Sequence, residues 1–168
     1  MTKKDYLEKH IPHRINLLIT YRERFSKLTS DKRELIRDFH RCSKDISMLM
    51  VRFLLGELGV NLREGNEDIS EKKQLGKYAK RLYICTVIQE PIYNDILEVL
   101  KAANRAVAHM EEKDVNHSIV TDLDDKILFN AITYTEEKIK THIYSTKNEY
   151  DIAMNISDNN MHRERLKL

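Results

Sequence analysis

The strongest restriction on the fold is an apolar stripe in the second quarter of the chain. Leu35, Phe39, Cys42, Ile46, Leu49 and Phe53 recur at alternating spacings of four and three. That rhythm keeps one side of an α-helix apolar at about 3.5 residues per turn, the spacing of a bundle or coiled-coil seam. Ile36, Met50 and Leu54 widen the stripe beyond a narrow seam. The spacing therefore predicts a helix from about Asp31 to about Leu58, buried inside a bundle. Asp31 and Glu34 have capping-box spacing, with Asp in the place of Ser or Thr. Gly56 and Gly59 are the expected terminators.

The rest of the chain holds little material for tight turns. Four Gly and two Pro in 168 residues fall far below average usage of roughly 7% and 5%. That weighs against a β-sandwich and against a Gly-rich nucleotide-binding α/β fold. No phosphate-loop or dinucleotide-binding glycine motif occurs. A hydrophobic content of 41%, regularly spaced, weighs against disorder. The length fits one domain. The expected fold is an all-α, single-domain, up-and-down bundle of four to five antiparallel helices over residues 1–145, with a C-terminal arm or tail over 146–168.

The remaining helices follow from similar patterns. Ile11, Ile15, Leu18, Tyr21 or Arg22, Phe25 and Leu28 mark the first. Pro12 belongs in its opening turn, with the preceding residues in a separate turn. Thr29 and Ser30 form a short connection, so the first two helices should lie antiparallel. Residues 59–68 read as a polar loop. Ser70 then caps a helix carrying Leu75, Ala79, Leu82, Cys85 or Thr86, and Ile88, which Pro91 ends. The next helix shows Ile92, Ile96, Val99, Ala103, Ala106 and Met110. Thr121 and Asp124 form a second box ahead of Ile127, Ala131, Tyr134 or Thr135, Ile139 and Ile143. Further on, Tyr150, Ile152, Met154 and Ile156 alternate with other residues at period two, which fits an extended arm or a short irregular helix.

Charge and cysteine usage narrow the setting. The 29 basic and 27 acidic side chains leave +2 at pH 7, so a strongly basic nucleic-acid binder is not indicated. Cys42 and Cys85 lie within apolar helical patterns without C-x-x-C spacing and read as buried, reduced thiols. No signal-type or membrane-spanning stretch is present, and the expected location is the cytoplasm, away from any membrane.

Among the seven histidines, His10 and His13 lack a third metal ligand, and His40 is expected on the solvated side of its helix. His117, His142 and His162 have no constellation around them. His109 differs. In the string Ala102-Ala103-Asn104-Arg105-Ala106-Val107-Ala108-His109, Arg105 and His109 are four apart and share a helical face. At about 100° per residue both point away from the core stripe of their helix. The neighbouring alanines allow close approach of another helix.

The N-R-A-V-A-H segment, late in an all-helical chain of this size, resembles the HEPN superfamily, and within it the abortive-infection-type members. The resemblance extends over about residues 30–145. It implies a bundle of four or five helices, a homodimer, and metal-independent RNA cleavage at a composite site using an R-x(4–6)-H motif. Carried onto this chain, His109 is the general base, Arg105 the phosphate-stabilising cation and Asn104 the polar neighbour. Only three residues separate Arg105 from His109, and Asn104 precedes the arginine instead of following it. The chemistry itself is coherent: a histidine takes the 2′-hydroxyl proton and an arginine fork stabilises the phosphoryl oxygens. No cofactor or metal is called for.

Local charge runs against this chemistry. Residues 90–125 hold nine acidic side chains and three basic ones, a local −6, which repels phosphates. Basic residues cluster elsewhere, at Lys72, Lys73, Lys77, Lys80 and Arg81, and at Arg22, Arg24, Lys27, Lys32, Arg33 and Arg37. Two functions are thus expected. One is a HEPN-like ribonuclease of a toxin or phage-defence system, with RNA as substrate and an antitoxin as partner. The other is a non-catalytic, homodimeric helical interaction module.

Overall fold

The computed structural model describes residues 1–26, 33–63, 68–71, 76–80, 92–111 and 123–165, with the backbone alone for 33–38, 71, 106–111 and 158–165. It is a helical bundle with one small hairpin, as the all-α reading expects. The first helix, α1, is built of the consecutive segments Lys3–Asp5, Tyr6–His10, Ile11–Thr20 and Tyr21–Phe25. Next come α2 (Arg33–Glu57), strands β1 (Val60–Leu62) and β2 (Ile69–Glu71), α3 (Ile92–Glu111), α4 (Asp125–His142) and α5 (Lys147–Arg165). Helix α2 packs on α1, α3 and α4; α3 also packs on α4, and α5 lies against α1 and α4.

Helix α1 buries Ile11, Ile15, Leu18 and Tyr21, the apolar positions read from spacing. The residues before Pro12 do not form a separate turn. A proline in a regular helix lacks one hydrogen bond and collides with the carbonyl four residues back. Here the preceding turn, Tyr6–His10, is π-helical, and Ile11 N–H reaches the Tyr6 carbonyl five residues back. This wider turn takes up the buried proline without breaking the helix.

Helix α2 corrects the reading of its stripe. Phe39 is 48% exposed and Ile46 39%, Cys42 is exposed, and Leu49 and Phe53 are half-buried. The inner face instead carries Ser43, Ser47, Met48, Val51, Leu54 and Leu55, followed by Leu58. The small serines explain the choice. They let α1 come close, with Ser47 Oγ donating to the Leu17 carbonyl at 3.2 Å, while the bulkier stripe stays outside. Cys42 is therefore not a buried thiol; Cys85 lies outside the described residues. His40 is not solvated either: its ring stands edge-on to Tyr21, with Nε2 buried. Gly59, at φ 91°, ends the helical path in the left-handed region, where glycine carries no Cβ penalty. Gly56 remains inside the helix.

After α2, the expected polar loop is in part a short hairpin. Strands β1 and β2 pair antiparallel, Val60 opposite Glu71, Asn61 opposite Ser70 and Leu62 opposite Ile69. Ser70 thus sits mid-strand and caps nothing. Val60, Leu62 and Ile69 are buried against the ends of α2 and α3, so tertiary burial overrides the polar composition of the loop. Residues 76–80 form turns where a helix is expected, and the rest of that expected helix, 72–75 and 81–91, lies outside the described residues. At α4 the cap is Asp124, whose carboxylate accepts from Lys126 N–H; Thr121 lies outside the described residues. The period-two stretch is neither an arm nor a short irregular helix. Lys147–Arg165 is a regular helix burying Tyr150, Ala153 and Ser157.

Candidate functional site

On α3 the buried side chains are Ile96, Val99, Leu100, Ala102 and Ala103. Arg105 is exposed, pointing away from that core as its angular position requires, and has no ion pair among the described residues. Asn104 is half-buried and already engaged. The helix continues unbroken to Glu111, so its backbone places Arg105 and His109 one turn apart on one side. The side chain of His109 lies outside the described residues.

Of the basic clusters, Arg22 is engaged within the fold, whereas Arg24 is exposed. Arg22 is held by Glu136 at 3.0 Å, by Glu23 at 2.7 Å and by a hydrogen bond to Thr133 at 2.8 Å. Lys77 and Lys80 are exposed, whereas Lys72, Lys73, Arg81, Lys27 and Lys32 lie outside the described residues. Glu136 is a half-buried hub that also accepts from Lys140 and Tyr150, both at 2.9 Å. Burial works to raise its pKa, but these hydrogen bonds outweigh burial and leave it lowered. Arg22 and Glu136 therefore clamp α1 to α4, and Tyr150 ties α5 to the same carboxylate.

A second polar cluster carries no sequence motif. Glu57, in the last turn of α2, is buried. It accepts from Tyr6 Oη at 2.7 Å and from Arg14 at 3.3 Å. Burial, and then the bond to Glu57, pushes the Tyr6 phenol far above its ordinary range. A buried acid beside a tyrosine and an arginine resembles reaction chemistry, but the site is closed. Gly76 donates to the Glu57 carbonyl at 3.1 Å. A Cβ at Gly76 would stand 2.5 Å from Glu57 Oε2 and 2.8 Å from Tyr6 Oη. With no room for even a methyl group, the cluster is structural. Its only trace in the sequence is an acid flanked by Leu54, Leu55 and Leu58.

The open feature is the outer face of α2. Phe39 stacks on Phe25, with ring centroids 5.8 Å apart and planes at 9°. Arg14 covers Phe53, its guanidinium carbon 3.9 Å from the ring centroid. A concavity of about 320 Å³ opens beside the stripe, lined by Leu49, Met50, Arg52, Phe53, Gly56 and Asn61. Asp45 flanks the stripe with Oδ1 buried and without a hydrogen-bond partner. Burial raises its pKa against the opposing pull of Arg41 and Lys44. Arg52, seven residues on, has no ion pair among the described residues.

Among the described residues no group of three His, Cys, Asp or Glu side chains could hold a metal ion. His10 and His13 are both exposed. No described helix is long and apolar enough to cross a membrane. The chain matches no protein-family model, no curated protein and no solved structure.

Proposed function

We propose that this chain is a non-catalytic helical interaction module of the cytoplasm whose docking surface is the outer face of α2. One observation carries the reading: of the residues at seam spacing on the outer side of α2, Phe39, Cys42 and Ile46 are exposed and Leu49 and Phe53 only half-buried among the described residues. A chain that needed these side chains for its own core would have buried them. Stripes at this spacing fit another helix, whose side chains fill the gaps between theirs. A photocrosslinking amino acid at Ile46, introduced in the protein's native cells, tests it. Crosslinks to a polypeptide are expected; their absence, with the variant folded, overturns the reading.

A second reading, metal-independent RNA cleavage by a HEPN-like homodimer in toxin or phage defence, is favoured by Arg105, an exposed cation on a helix unbroken through His109. An antitoxin would then be a further partner. Protein and its His109→Ala variant, incubated with structured RNA in EDTA, separate the two functions. Cyclic-phosphate products from the wild type alone support cleavage, and equal results exclude it.

A further inference from the structure

Building on the docking role of α2, we infer that the occupant of its outer face is a second copy of this chain, with the two α2 helices antiparallel about a two-fold axis between Ser47 and Met48. Three independent features of the face match under that one operation. The first is the stripe. Ile46 becomes level with Leu49 of the second copy, and Cys42 with its Phe53, so large apolar side chains alternate across the seam. The second is shape. Phe39, the protruding residue, becomes level with Gly56 of the second copy, which lines the concavity of about 320 Å³. A glycine inside a helix is less favourable than alanine, and Gly56 does not end the helix. Its missing side chain leaves the space into which an aromatic ring fits.

The third is charge. Asp45 and Arg52 are seven residues apart and so lie on the same flank of the stripe. A two-fold axis perpendicular to both helices returns each flank to its own side. Asp45 and Arg52 of the second copy then lie on the same flank, offset by about 3 Å along the axis, twice per dimer, so opposite charges meet there. A parallel pair would instead bring each residue against the opposite flank, where Met50 and Glu57 stand. Glu57 is already used by Tyr6 and Arg14.

Sedimentation of the full chain over a range of concentrations should show a reversible species of twice the chain mass. Ile46→Glu, at an exposed position, should weaken association by roughly tenfold or more while circular dichroism keeps the helical signal. Asp45→Arg and Arg52→Asp should each weaken it by about tenfold or more, and the double exchange should restore it. Orientation is read from disulfides. In the antiparallel pair the two Cys42 residues are about 16 Å apart along the axis, beyond bridging distance. Oxidised Cys85→Ser protein should therefore stay uncrosslinked, while Phe53→Cys in that background should form covalent dimers through Cys42. A monomer at every concentration, a double exchange no better than the singles, or a covalent dimer from Cys85→Ser alone overturns the inference. Photocrosslinks from position 46 to a different polypeptide refute self-pairing and leave the docking role standing. No crosslink at all refutes both.

Discussion

Replacing Tyr6 by Phe tests how much one buried hydrogen bond to a carboxylate contributes here. The ring is 1% exposed and packs at a tilt on Tyr78, centroids 5.4 Å apart. Phenylalanine preserves that packing and removes only the hydroxyl. Glu57 then keeps Arg14, at 3.3 Å, as its charged donor. Hydrogen bonds to charged groups contribute about 1.5–3 kcal/mol, and the abandoned carboxylate oxygen has no route to solvent past Gly76. The expected loss is about 2–3 kcal/mol. At about 2–4 °C per kcal/mol for a chain of this size, Tm falls by roughly 4–12 °C. Because the chain has no Trp, urea unfolding is best followed by far-ultraviolet circular dichroism. In a Glu57→Gln background the bond becomes neutral, and the same replacement should cost only about 1 kcal/mol. A Tyr6→Phe protein within about 0.5 kcal/mol of wild type, or an equal cost in both backgrounds, would refute the charge-assisted account.

Three further outcomes are expected. Leu54→Ala should cost about 2–5 kcal/mol, whereas Ile46→Ala should cost less than about 1 kcal/mol; denaturant midpoints that reverse this order would return the stripe to the core. Glu136, with its pKa lowered from the ordinary 4.5, stabilises the fold above that value. This contribution should fade as pH falls through the folded-state pKa, and Glu136→Gln should flatten the acid limb of the stability curve. Tyr134 is pushed up to about 12 by burial, and Tyr6, Tyr21, Tyr144 and Tyr150 are also raised. Stability should hold up to about pH 10, where unfolded tyrosines begin to ionise, and fall above it. Tyrosinate absorbance should therefore rise together with loss of the helical signal; a rise well ahead of it would count against the burial.

Helices were legible where one face alone is apolar. Ile11, Ile15 and Leu18 in α1 and Ile96, Val99 and Ala103 in α3 lie inside as their spacing implies. Helix α2 has two apolar arcs, and periodicity does not say which one the bundle uses. Ser43 and Ser47 decide it, through a close approach by α1 that no hydropathy pattern encodes. The hairpin was hidden because its strands are three residues long and held by burial against α2 and α3. The alternation around Tyr150 misled for a related reason: Tyr150, Ala153 and Ser157 have helical spacing but only one large apolar member. Arg105 was legible as an outward-facing residue. Glu57 was not, because its partners Tyr6 and Arg14 lie 51 and 43 residues away.

The pairing of α1 with α5 also bears on when the protein can finish folding during synthesis. Tyr144 donates to the Leu7 carbonyl across 137 residues, and Asn16 to Ser157 across 141. Contacts that distant form late, after most of the loop between them has been ordered. On the ribosome, α1 emerges well before α5 and stays without this covering helix until residues 147–165 have also emerged. During that interval its surface for α5 is open to chaperones. Nascent chains stalled before residue 144 should therefore be cut by protease within α1, and chains extended beyond residue 165 should resist.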